Sequence, residues 1–155
     1  MKNIWRNPYL RTLLLALLLV GMLCTGCTGA LNSDNGQSTD NVLSEDGCYT
    51  APQDVADYLH TYAHLPDNFI TKNEAKKLGW DSQSGNLDEV APGMSIGGDV
   101  FGNREKLLPE EKGRKYYECD VNYEGGYRNG ERIIYSNDGL IYYTNDHYKS
   151  FEQLY

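Results

Sequence analysis

Between Arg114 and Leu154 the chain is cut into short runs by glycine-bearing turns at Gly125-Gly126, Asn129-Gly130 and Asn137-Asp138-Gly139. Asn-Gly and Asp-Gly supply the positive φ that tight hairpins require, so the runs between them read as antiparallel strands. Within Arg114–Val121, Tyr116, Glu118 and Asp120 share one face, and Tyr117, Cys119 and Val121 share the other. This period of two places Glu118 on a polar face and turns Cys119 towards a core. Glu131–Ser136, where Arg132 alternates with Ile133 and Tyr135, continues the pattern, followed by Leu140–Thr144 and a last strand near Ser150–Leu154. Ser95–Phe101 reads as a strand preceding them.

Upstream the period changes. Val55, Tyr58, Leu59, Tyr62 and Leu65 recur at helical spacing, which predicts an amphipathic helix over residues 51–63. Thr50-x-x-Gln53 resembles its capping box, Pro52 sits in its first turn, and Pro66 follows its end. A cleaner box, Thr71-x-x-Glu74, opens a second helix that stops at Gly79, and Asn86-x-x-Glu89 suggests a short third. Helices first and strands later predict an α+β domain over residues 48–155, with two to three N-terminal helices packed on a C-terminal antiparallel β-sheet.

The first 47 residues have another character. Lys2, Arg6 and Arg11 precede the apolar run Leu13–Leu23, too short to span a bilayer and suited to a signal peptide over residues 1–26. Thr25-Gly26-Cys27 looks like a bacterial lipobox, with Cys27 as the lipidated residue and Cys24 where leucine is usual. Residues 27–47, rich in Ser, Thr, Asn, Asp and Gly, read as a flexible tether with a mean reach of about 25 Å. Export in this form gives a membrane-anchored lipoprotein or a secreted protein.

In an oxidising compartment the remaining cysteines, Cys48 and Cys119, are an even pair inviting a disulfide worth roughly 4 kcal/mol of chain entropy. CxxC and HExxH spacings are missing and the three histidines are scattered, so the sequence points to no metal site. Cleavage after residue 26 removes three of the 14 basic residues and none of the 22 acidic ones, leaving 11 against 22 and a net charge of −11. Such a chain is excluded from generic binding to nucleic acid, and any polyanionic substrate needs a local cationic pocket.

Glu118, Arg128, Arg132 and His147 could supply that pocket. A carboxylate, an imidazole and two guanidinium groups are the parts needed to move protons about a phosphodiester while holding its charge. Lys72 falls in the first turn of the second helix, where the macrodipole disfavours a cation unless an anion is near.

The segments VADYLHTYAHLPDNFITKNEAKKLGW and GNLDEVAPGMSIGGDVFGNRE, with the run from NYEGGYRN through ERIIYS and LIYYT to DHY, resemble the barnase–binase family of extracellular guanyl-preferring bacterial ribonucleases. The resemblance covers residues 54–155. It implies the microbial ribonuclease fold and endonucleolytic cleavage of single-stranded RNA without metal or cofactor. Glu118 would be the general base and His147 the general acid, with Lys72, Arg128 and Arg132 about the scissile phosphate. It further implies that Phe101, Asn103, Arg104, Glu105 and Tyr148 bind substrate, the Asn103–Glu105 loop reading guanine, and that Asp99 is a buried acid bracing the site. A monomer is expected, with a small acidic inhibitor resembling barstar as intracellular partner. The chain departs from the family in three places: Gly139 replaces a tryptophan, Ala63 a helix-terminal histidine, and Gly102 a serine. The acidic balance and the tether also leave open a second reading, a catalytically degenerate surface module that binds RNA or protein without turnover.

Overall fold

The computed structural model describes residues 43–155. The expected signal peptide, Cys24, Cys27 and the tether up to residue 42 lie outside the described residues. Helix α1 spans Pro52–Tyr62, strand β1 Phe69–Ile70, α2 Lys72–Lys77 and α3 Leu87–Val90. Strands β2 (Ser95–Phe101), β3 (Tyr116–Asp120), β4 (Arg132–Ser136), β5 (Ile141–Thr144) and β6 (Glu152–Gln153) follow. The six strands form one sheet in sequence order, parallel between β1 and β2 and antiparallel elsewhere. This is the α+β architecture expected from the sequence.

Cys119 of β3 and Val121 just after it meet Ile133 and Ile141, and α1 lays Val55, Ala56 and Leu59 over them. Burial of each large aliphatic side chain there contributes about 1.5–3 kcal/mol. On the opposite face Tyr116, Ile134 and Tyr142 pack with Leu108, Phe101 and Tyr148. A third cluster, Ala75, Trp80, Leu87, Ala91 and Ile96, fastens α2 and α3 to β2. The β2–β3 register shifts between Gly97 and Asp99, setting Asp99 opposite Glu118. Gly97 is required here, because a Cβ would stand 2.7 Å from Phe69 and 2.8 Å from Cys119.

Helix starts differ from expectation in two places. The Thr50-x-x-Gln53 box does not form: Ala51 is the N-cap, and Gln53 donates to Asp57 at 2.6 Å. The Thr50 carbonyl instead accepts from Asn122, tying the helix entry to the end of β3. Asn86 does not cap α3 with its side chain, which accepts from Asp81 N and donates to the Gly79 carbonyl. The Thr71–Glu74 box is present in full.

Residues 43–47, read from sequence as the end of the tether, are held. The hydroxyls of Tyr62 and Tyr58 on α1 donate to the carbonyls of Leu43 and Glu45 at 2.6 and 2.8 Å. These backbone carbonyls satisfy both phenols, including that of the buried Tyr58.

Candidate active site

Glu118 sits mid-β3, flanked by Asp99 on β2 and Ile134 on β4, and is buried where a lone surface carboxylate would be solvated. Lys72 Nζ lies 2.5 Å from its Oε1, and the Tyr148 hydroxyl donates to Oε2 at 2.7 Å. Burial pushes the Glu118 carboxyl up. The hydrogen bonds from Lys72 and Tyr148, with the Lys72 and Arg128 charges, outweigh it and hold the group below its usual range. Burial, then the bond to Glu118, raise Tyr148 to about 12, so it stays a donor. The cation at the start of α2 thus has its anion. Asp99 reaches the same turn differently: its Oδ2 accepts from the Lys72 backbone amide at 2.9 Å. It is half-buried and not the buried acid the resemblance implies, and the group it braces is a helix terminus.

Asp120, two residues along the same face, holds both arginines. Arg128 Nε and Nη2 donate to its two carboxylate oxygens at 2.5 and 2.6 Å. Arg132 Nε stands 2.8 Å from Oδ1, close enough for an ion pair but outside hydrogen-bond geometry, which leaves that buried N–H unsatisfied. Arg132 Nη1 donates to the Glu131 carbonyl at 2.6 Å and to Asn129 Oδ1 at 3.1 Å. Opposite Asp120 in register, Arg132 is almost fully buried.

His147 leaves β5 on a turn stapled by Asp146, whose carboxylate accepts from Thr144 Oγ1, the amides of Lys149 and Ser150, and Ser150 Oγ. The Ser150 hydroxyl and amide foremost pull Asp146 down to about 2. His147 and Tyr148 both adopt left-handed backbone, φ 59° and 70°. The His147 amide donates to the Gly130 carbonyl, and the imidazole is exposed beside Tyr148. Arg128, Arg132 and His147 share the lining of one cavity of about 440 Å³ with Trp80, Tyr127 and Gly130.

Phe101, at the end of β2, stacks on Tyr148 at 5.4 Å. In the adjoining loop Arg104 and Glu105 are exposed, but Asn103 turns inward, its amide exchanging hydrogen bonds with the Leu108 backbone at 2.9 and 3.1 Å. Its side chain closes the loop over residues 103–108, while its two neighbours stay exposed. Cys48 and Cys119 are not bonded to each other: Cys48 is exposed before α1 and Cys119 is sealed in the core, so the expected bridge is corrected to two thiols that are free among the described residues. Asp120 and Asp146 are the two site residues the sequence reading passed over. The β3 alternation already placed Asp120 beside Glu118, whereas nothing local marked Asp146 as a staple.

Residues 52–155 match the sequence profile of the ribonuclease family, and the chain belongs to that family. It is 58% identical over 100 residues to a ribonuclease of Heyndrickxia coagulans, covering 64% of this chain and 92% of that protein. A ribonuclease of Bacillus intermedius is equally similar over 100 residues, 62% of its length. A guanyl-specific ribonuclease St of Saccharopolyspora erythraea shares 40% identity over 55 residues, 35% of this chain and 54% of that one.

Proposed function

We propose that this ribonuclease is an exported endoribonuclease that cuts single-stranded RNA, preferentially after guanine, without metal. The observation that carries the reading is Glu118, buried and held between Lys72 and Tyr148, with His147 on the residue preceding Tyr148. Glu118 takes the proton of the ribose 2′-hydroxyl. That oxygen attacks the adjacent phosphorus, and His147 protonates the departing 5′-oxygen. Hydrolysis of the resulting 2′,3′-cyclic phosphate reverses the two proton roles. Arg128 and Arg132, locked on Asp120, present fixed positive charge to the phosphoryl oxygens. Lys72 is shared: as it turns to the phosphate it leaves Glu118 buried without its strongest partner, which strengthens the base at the moment it is needed.

Guanine preference is supported by the exposed Arg104 and Glu105 loop beside Phe101, and by the guanyl-specific relative. Export follows from the basic and apolar N-terminus, with lipid on Cys27 as the anchor, and among the described residues no helix is long and apolar enough to cross a membrane. A monomer restrained inside the producing cell by a small acidic inhibitor completes the reading.

The test is incubation of the purified protein with single-stranded RNA in EDTA. Cleavage after guanine to 2′,3′-cyclic ends, reduced at least about 100-fold in Glu118→Ala, is expected. Folded protein that binds RNA without cutting it overturns the reading in favour of a binding module, and equal cutting by Glu118→Ala removes Glu118 as the base.

A further inference from the structure

A second cavity, of about 330 Å³, lies under the end of α1, lined by Leu59, His60, Ala63, Tyr117, Tyr135 and Gly139 among others. Tyr117 faces away from Glu118 on β3, so the sheet separates this cavity from the candidate active site. Its space comes from two small residues: Ala63, which closes α1 at φ 60°, and Gly139 at φ 100°, around whose missing Cβ nothing lies within 4 Å. These are two of the positions at which the sequence departs from the family pattern.

The walls are preformed. Tyr117 and Tyr135 stack with ring centroids 5.5 Å apart. His60 lies flat on Tyr155 at 4.0 Å, and the Tyr155 hydroxyl is anchored on Asp57 at 2.6 Å. The hydroxyls of Tyr116, Tyr123, Tyr143, Tyr148 and Tyr155 all have protein acceptors. Those of Tyr117 and Tyr135 have none among the described residues. Among the described residues no lysine or arginine lines the cavity, while the C-terminal turn of α1, with its partial negative charge, forms one rim. Asp57 lies one turn back on α1, and the chain as a whole carries a net charge of −8.

We propose that this cavity binds a small planar organic cation of the aryl-amidine or aryl-guanidine class. The ring would lie against the tyrosine pair and the cationic head would face the α1 carbonyls and the two free hydroxyls, a combination of cation–π and dipole attraction. The volume is at the lower end of small-molecule pockets, which suits one ring with one charged group.

The probes are benzamidine, its neutral isostere benzamide, and benzoate, titrated into the isotope-labelled protein and followed by amide NMR. Expected are saturable shifts of the Ala63 and Gly139 amides with benzamidine, about tenfold weaker binding of benzamide and none of benzoate. Tyr117→Leu should weaken benzamidine about tenfold. No saturable shift at these amides, equal binding of benzamide, or undiminished binding by folded Tyr117→Leu overturns the proposal. The charge series on the unaltered protein decides by itself should that variant not fold.

Discussion

Asp120 grips Arg128 through both carboxylate oxygens, at 2.5 and 2.6 Å, from a strand position almost sealed from water, and the same carboxylate faces buried Arg132. Removing one partner of such a buried set leaves uncompensated charge, a loss of about 3–5 kcal/mol. Asp120→Ala should therefore unfold at markedly lower urea, and its turnover should fall at least about 100-fold as the arginines lose their register. Asp120→Asn with unchanged kcat would show that the arginines hold position unaided.

Tyr148 gives Glu118 its second hydrogen bond. In Tyr148→Phe the carboxyl loses a donor that lowers its pKa, so the acid limb of the kcat/KM profile should move up by about one pH unit. A pH–rate profile on a dinucleotide substrate checks this, and an unmoved limb would remove Tyr148 from the proton chemistry.

Hydrogen bonds, those from the Ser150 hydroxyl and amide foremost, pull the Asp146 carboxyl down from its ordinary 3.8 to about 2. A depressed carboxylate contributes stability that is fully present above the unfolded value and is lost as pH falls through the folded one. The staple should therefore weaken between about pH 4 and pH 2. Urea midpoints followed across that window should fall less steeply in Asp146→Asn than in the parent, and equal slopes would contradict the assignment.

Cys119 lies in the core between α1 and the sheet, and burial pushes its thiol well up. With no bridge to Cys48, dithiothreitol should leave the melting temperature unchanged, and Cys119 should resist alkylation until the protein unfolds. A drop of several degrees on reduction would restore the disulfide.

The parts of this fold legible in the sequence were those whose signal is local. The alternation through Tyr116–Asp120 named both faces of β3, and Thr71-x-x-Glu74 marked the start of α2 because a capping box is closed within four residues. Strand β1 escaped notice: its two residues are a strand only through parallel pairing with β2, a contact across 26 positions, Phe69 to Ser95. Thr50 failed as a cap for a related reason, its carbonyl being engaged by Asn122 from the far end of β3. In the site, residue types were readable and their partners were not. Asn103 was placed in the guanine loop by resemblance, but the Leu108 backbone that its side chain engages was not legible, and the group that aligns Arg128 and Arg132 was read only as a polar position on a strand.

Two successive residues with side chains, His147 and Tyr148, stand in backbone that L-amino acids avoid at a cost of about 1–3 kcal/mol each. The turn presenting the imidazole is therefore poised against its own conformational preference, restrained by Asp146 and by the Gly130 carbonyl. Any change that relieved this backbone would also move the imidazole, so engineered stabilisation should leave residues 146–148 untouched.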